Sequence, residues 1–215
     1  MGLFDIFKKT TKPFKNDGIN LFYELLFCDN LDNYKNNNQK PDSYPWDILF
    51  AETTNISELQ KIISDKSTET RTKILAYNKL RTSGQNSDEK ELLAVIVEIG
   101  LPQGLDVLAS FKDGSARYIN QTEKILVWET TDEKSNSLTS KLFAESANVV
   151  KQIGPWLEPR RPHPSKGNVR ITFLVSDGLY FGEGPMNVLF NDPLASPALT
   201  AATELMKYLT EKSLN

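Results

Sequence analysis

The stretch that decides the fold runs from Glu91 to Glu129 and reads ELLAVIVEIGLPQGLDVLASFKDGSARYINQTEKILVWE. Its first part, Leu92 to Ile99, is apolar enough for either a buried helix or a buried strand. Four of its eight residues are β-branched, and this composition favours a strand.

The rest of this stretch predicts an antiparallel meander. Apolar and polar residues alternate from Leu105 to Phe111, and Asp113-Gly114 is a typical hairpin turn that leads into Ala116 to Ile119. A looser turn precedes a further strand from Ile125 to Glu129. We therefore expect a sheet of three or four strands here.

A similar order of elements follows the meander. The apolar spacing from Leu138 to Ile153 predicts a helix, and Val169 to Val175 alternates like a half-exposed strand. Asp177-Gly178 turns this strand into another, and Ser196-Pro197 begins a last helix. Strand, Asp-Gly turn, strand and helix thus occur twice.

Everything before the central stretch is predicted to be helical. Apolar residues at helical spacing predict helices from Ile19 to Leu31 and from Thr68 to Arg81, and Asn55 with Glu58 resembles the cap of a short helix. The polar segment from Asn33 to Tyr44 is typical of a surface loop.

The predicted fold class is α+β, with an antiparallel sheet (β-meander, helix, β-hairpin, helix) and an N-terminal helical part packed on it. The order of elements is similar to that of roadblock-like and profilin-like domains, by analogy of topology alone. We expect a basic amphipathic segment over residues 1–18, a helical part over 19–86 and the sheet domain over 87–215, with the last two forming one structural unit.

The composition narrows the class of protein. A net charge of −3 does not favour nucleic-acid binding, and a single cysteine, Cys28, excludes an internal disulfide.

With no apolar run of membrane-spanning length and no signal peptide, the expected location is the cytoplasm. Residues 1–15 combine apolar and lysine residues, which predicts weak peripheral contact with an anionic membrane. A mobile terminus or a turn packed on the domain is the alternative.

No catalytic motif is present, and the chain has one histidine, His163. We therefore predict no catalytic residue, no cofactor and no metal site. The carboxylates Asp106, Glu129 and Glu183 could meet at one sheet edge as an acid/base pair, which is the basis of a carboxylate-dependent enzyme as an alternative.

A binding surface is the stronger prediction, because Trp, Tyr and Arg often dominate interfaces. Alternation in the strands suggests that one outer face carries Leu108, Trp128, Arg170, Thr172, Leu174 and Tyr180. The predicted surface comprises Tyr118, Trp128, Trp156, Arg160, Arg161, Arg170, Tyr180 and Glu183. The competing interpretation is that the N-terminal helices cover this face.

The segments GLDVLASFKDGSARYIN…VWE, IGPW and RITFLVSDGLYFGEGP resemble a family of bacterial proteins of similar length with the same helical lead-in. The resemblance covers about Trp46 to Leu209 and implies a bacterial, intracellular, single-unit protein. The resemblance implies no activity, cofactor or catalytic residue.

Three functions follow from these observations. The first is a non-catalytic protein-interaction or regulatory module with an unknown protein partner, for example an immunity-type protein that neutralises a toxin. The second is a small-ligand sensor with a pocket between sheet and helices, near Tyr118, Trp128, Arg170 and Tyr180. The third is the carboxylate-dependent enzyme.

Overall fold

A computed structural model describes residues 12–35, 41–85, 89–130 and 132–213 of the chain. In chain order, the elements are α1 (Asp17–Leu25), α2 (Leu31–Lys35), α3 (Trp46–Phe50), α4 (Ile56–Ser64), α5 (Thr70–Thr82), β1 (Leu92–Leu101), β2 (Gly104–Phe111), β3 (Ala116–Ile119), β4 (Ile125–Trp128), α6 (Glu133–Val150), β5 (Asn168–Val175), β6 (Gly178–Pro185), α7 (Met186–Leu189) and α8 (Ser196–Lys212).

The strands form one antiparallel sheet in the order β4-β3-β2-β1-β5-β6, which confirms the predicted fold class. β1 to β4 are the predicted meander, and β5 and β6 are the predicted hairpin. β5 pairs with β1, so the second strand–turn–strand unit joins the first at the middle of the sheet.

Helices cover both faces of this sheet. On one face, α6 and α8 pack together as a C-terminal layer over the side chains of Val95, Val97, Leu108 and Ile171. On the other face, α1, α3, α4 and α5 form an N-terminal layer. Its fully buried Leu49, Leu59 and Ile62 belong to the same hydrophobic cluster as Ile96, Val107 and Phe111 of the sheet.

The N-terminal layer explains one wrong expectation. The alternation in β5 predicts a half-exposed strand, yet seven of its eight residues, Val169 to Val175, are buried. Leu174 packs in the cluster of the N-terminal layer, whereas Ile171 and Phe173 pack in that of the C-terminal layer. The polar residues between them, Arg170 and Thr172, are therefore covered as well.

The helical predictions differ from the structure mainly at their ends. The helix predicted from Ile19 to Leu31 ends at Leu25, because Cys28 adopts a left-handed φ of 51°. α2 then begins at Leu31 and extends into the expected surface loop, and the Asn30 side chain accepts a hydrogen bond from the Asp32 amide at 3.0 Å. The expected Asn55 cap is confirmed, since its side chain accepts from the Glu58 amide at 3.3 Å.

The basic N-terminal segment lies largely outside the described residues, since the description begins at Lys12. Its predicted contact with a membrane therefore stays a prediction. Among the helices of the described ranges, none has the length and apolar character needed to cross a membrane.

Candidate functional site

The candidate site is built around the segment between α6 and β5, residues 156–166, which we call the arginine loop. Prolines at 159, 162 and 164 exclude regular structure and restrict the residues before them. Trp156 fixes the start of the loop, because its amide donates to Leu179 of the edge strand β6 at 2.7 Å. Its indole N–H also donates to the Pro159 carbonyl at 3.1 Å.

Arg170 of β5 holds the middle of the arginine loop. Its guanidinium donates to Glu183 Oε2 on β6 from Nε at 3.0 Å and from Nη2 at 2.7 Å. It also donates to the carbonyl of Arg161 at 3.1 Å and to that of Pro162. Only 3% of the Arg170 side chain is exposed. One buried cation therefore connects two strands with the backbone of the loop.

Glu98 of β1 lies beside this arginine and is fully buried. Its Oε1 accepts a hydrogen bond of 2.6 Å from the Tyr23 hydroxyl of α1. Its Oε2 lies 3.6 Å from Arg170 Nη1 and accepts no hydrogen bond from any described residue. Burial raises the pKa of Glu98, although Arg170 and the Tyr23 hydrogen bond act in the opposite direction.

Arg160 ties the loop to the N-terminal layer. It forms ion pairs with Glu24 of α1 and, at 2.6 Å, with Asp29. Its guanidinium carbon also lies 3.8 Å from the ring centre of Phe27, a cation–π contact. Burial alone would lower the pKa of Arg160, but the two carboxylates raise it above its usual value. The side chain is therefore a fixed structural cation.

Arg161 is different, because it is exposed and forms no ion pair within the described residues. Its guanidinium carbon lies 4.9 Å from the ring centre of Trp156 and 5.4 Å from that of Phe181. Stacking on aromatic rings holds the planar cation in place without neutralising it. Arg161 is thus available to an anionic group from outside.

The end of β1 supports the far side of the loop. The Gly167 amide donates to the Gly100 carbonyl at 2.7 Å. A Cβ added at Gly100 would lie 2.2 Å from the Ser165 carbonyl oxygen, so only glycine allows this close approach. The loop is therefore held at its start, in its middle and at its end.

Two clefts flank the arginine loop, and Arg160 lines both. The first, here called the helix cleft, lies against α1 and has a volume of about 470 Å³. The second, the acidic cleft, has a volume of about 600 Å³. Its walls carry four carboxylates and two arginines, namely Glu24, Asp29, Glu158, Asp177, Arg81 and Arg160.

The structure brings together five of the eight predicted surface residues. Trp156, Arg160, Arg161, Arg170 and Glu183 all belong to the arginine loop or to the contacts that hold it. Arg160 and Arg170 are too buried to meet a partner directly, so they position the loop instead.

The other three predicted residues lie elsewhere. Tyr118, Trp128 and Tyr180 belong to the cluster under the C-terminal layer, together with Leu108, whereas Leu174 belongs to the opposite face. The prediction that Leu108, Trp128 and Tyr180 share a face with Leu174 is therefore wrong. Tyr118 donates to Asp106 at 2.9 Å, and Tyr180 donates to Asp177 at 2.8 Å.

Sequence reasoning missed four members of the site. Glu98, Glu24 and Asp29 supply the carboxylates that meet the buried arginines, and the Tyr23 hydroxyl donates to Glu98. Glu98 could have been noticed in the sequence, because it is a lone charge in an apolar run rich in β-branched residues. The other three lie far away in sequence and meet the loop only through the packing of α1.

At the places named by the two alternative predictions, near Tyr118 and at the three carboxylates, the described residues form no such site. The cavity beside Tyr118 has about 30 Å³ of space, well below the roughly 300 Å³ of a small-ligand pocket. The three carboxylates Asp106, Glu129 and Glu183 do not meet. Glu129 follows β4 and pairs with Arg117, whereas Glu183 lies on β6, the opposite edge strand, and pairs with Arg170. The described ranges also contain no group of three or more His, Cys, Asp or Glu that could hold a metal ion.

Comparisons with models of known protein families and with curated protein sequences gave no match.

Proposed function

We propose that the chain is a non-catalytic protein-interaction module that uses the first half of the arginine loop, Trp156 to Pro159, as its contact surface. The observation that supports this best is the number of hydrogen bonds and ion pairs that hold the loop in place. Trp156 holds the first half of the loop through its hydrogen bonds to Leu179 and Pro159, and the largely buried Arg160 and Arg170 hold the backbone that follows it. A loop fixed before binding loses little conformational entropy when a partner arrives.

The loop presents a suitable apolar anchor. Leu157 is 88% exposed, the highest value among the exposed large apolar side chains of the described residues. It stands directly after Trp156 and beside Pro159 at the rim of the acidic cleft. Contact with a partner would remove this apolar side chain from water, which favours association.

The charge of the acidic cleft indicates the chemistry of the partner. Its four carboxylates exceed its two arginines, which leaves two net negative charges on the walls. The favoured partner is therefore a protein segment with an apolar side chain for Leu157 and a lysine or arginine for the cleft. A basic toxin neutralised by an immunity-type protein is one partner of this kind.

We further propose that the module works in the cytoplasm of a bacterium. The bacterial part is supported by the family resemblance of the segments from Trp46 to Leu209. The cytoplasmic part is supported by Cys28, a buried free thiol whose pKa is raised to about 12 by burial. A thiol of this kind persists in a reducing compartment.

The test is affinity capture from a lysate of the native organism with three forms of the chain: wild type, Leu157→Asp and Val188→Asp. Val188 is a matched control, because it is 54% exposed on α7 and lines neither cleft. We expect wild type and the Val188 variant to retain a stoichiometric basic protein that the Leu157 variant loses. A partner that Leu157→Asp also retains, or the absence of any partner, would overturn the proposal.

A further inference from the structure

The helix cleft has properties that the proposed interface does not use. It lies on the other side of Arg160 and is lined by the second half of the arginine loop, from Arg160 to His163, and by α1. Its volume of about 470 Å³ falls within the range of roughly 300–1,000 Å³ typical of small-molecule sites. Leu157 and Trp156 do not line it.

The cleft has an excess of positive charge. Three cationic side chains, Lys12, Arg160 and Arg161, face two carboxylates, Asp17 and Glu24, and His163 lies among them. Arg160 is already neutralised by Glu24 and Asp29. The remaining positive charge in the cleft therefore belongs to Arg161 and Lys12.

Arg161 is the natural anchor for an anion. Its guanidinium is oriented by Trp156 and Phe181 and has no carboxylate partner within the described residues. A preoriented guanidinium binds the oxygens of a phosphate or carboxylate through two parallel hydrogen bonds. Lys12 can assist, because its pair with Asp17 at 2.6 Å is exposed on both sides and contributes little stability.

Apart from Asn20, the rest of the lining is largely apolar. Pro13, Leu21, Tyr23 and Pro162 contribute to the walls. These side chains favour a compact apolar body next to the anionic group, since apolar surface removed from water stabilises a complex. An inorganic anion alone would leave this part of the cleft unused.

We propose that the helix cleft binds a small organic anion, a molecule with a phosphate or carboxylate group for Arg161 and a compact apolar body for the wall formed by Leu21, Tyr23 and Pro162. This site is independent of the protein interface proposed above. It would place a metabolite directly beside the segment that contacts the partner.

The test is a titration of the full chain followed by NMR, with the indole N–H signals of the three tryptophans as reporters. The probes are phenyl phosphate, benzoate, inorganic phosphate and phenol. We expect saturable shifts of the Trp156 signal with one or both ring anions, and weaker binding of inorganic phosphate and of phenol. The choice between phenyl phosphate and benzoate identifies the anionic group.

Two variants locate the site. Arg161→Gln should weaken binding of the ring anion by about tenfold, the usual effect of removing one charge-assisted pair. Lys166→Gln removes an equal charge from the same loop outside the cleft and should bind as wild type does. Equal binding by Arg161→Gln and wild type, shifts confined to Trp46 or Trp128, or no saturable shift with either ring anion would overturn the proposal.

Discussion

At the scale of single residues, Glu98 is a carboxylate in an unusual environment. It is fully buried, one oxygen accepts from Tyr23 and the other faces Arg170 at 3.6 Å without a hydrogen bond. Taking a carboxylate out of water destabilises its charged form unless hydrogen bonds and counter-charges compensate. Here the compensation is incomplete, which is why the pKa of Glu98 is raised.

This raised pKa predicts a specific pH dependence of stability. An unfolded Glu releases its proton at about pH 4.3, whereas folded Glu98 keeps it to a higher pH. As the pH rises through this interval, the folded state binds more protons than the unfolded state, so the free energy of unfolding decreases. Glu98→Gln still accepts from Tyr23 but has no such titration.

We therefore expect wild type to lose stability relative to Glu98→Gln as the pH increases from about 4 towards neutral. Urea unfolding of both proteins at several pH values measures the difference. Titratable groups that do not interact with Glu98 are the same in both proteins, so their contributions to the pH dependence cancel in this comparison. A difference in unfolding free energy that stays constant from pH 4 to pH 8 would show that the pKa of Glu98 is not raised.

At the scale of elements, the arginine loop depends on its contact with the end of β1. Gly100→Ala would push a methyl group into the Ser165 carbonyl, because the added Cβ would lie 2.2 Å from that oxygen. We expect a loss of about 1–3 kcal/mol in unfolding free energy, as for other forced overpacking. The NMR signals of residues 165–167 should shift in the same variant.

Gly154→Ala is the matched control for this prediction. Gly154 follows α6, has no other atom within 4 Å of an added Cβ and has no unusual φ. Its replacement should change the unfolding free energy by less than about 0.5 kcal/mol. Thermal unfolding of both variants makes the comparison. Equal stability of Gly100→Ala and wild type would mean that the loop is not held closely by β1.

The strands and much of their pairing could be predicted from the sequence. Alternation within β2 and the Asp-Gly turns are local patterns, so the strands, their order of pairing in the meander and the later hairpin were predictable. Arg170 could be singled out as a residue type common at interfaces, and Glu183 as a carboxylate at a strand end. Their partner Glu98 could not be connected to them, since that contact requires the pairing of β1 with β5.

Sequence also could not assign faces across strands. Alternation shows which residues of one strand share a face, but the relation between neighbouring strands depends on register and bulges. β1 contains such an irregularity between Leu92 and Ala94 in its pairing with β5. In the β5–β6 hairpin, Tyr180 pairs with Phe173 and Leu174 with Leu179, so Tyr180 and Leu174 face opposite helical layers.

At the scale of the whole molecule, the sheet is shared by two hydrophobic clusters. Neighbouring residues of β1, such as Val95 and Ile96, contribute to the clusters on opposite faces. Loss of either helical layer would expose one face of every central strand to water. The two layers should therefore stabilise each other through the sheet between them.

This arrangement predicts one cooperative unfolding transition. Trp46 packs in the N-terminal layer and Trp128 under the C-terminal layer. Two variants, each keeping only one of these tryptophans and replacing the other two with Phe, would report on the layers separately. We expect each protein to show the same urea midpoint by tryptophan fluorescence as by circular dichroism. A fluorescence midpoint of the Trp46 protein clearly below its circular dichroism midpoint would show that the N-terminal layer unfolds independently.

The central position of β5 also has a consequence for folding during synthesis on the ribosome. β1 and β2 can pair as soon as they emerge, but the other edge of β1 waits until Asn168–Val175 has been synthesised. Until then the nascent chain carries an apolar strand with open hydrogen-bonding groups, a state prone to association with other chains. Ribosome pausing between α6 and β5 would lengthen this exposed period, so chaperone demand should be greatest there.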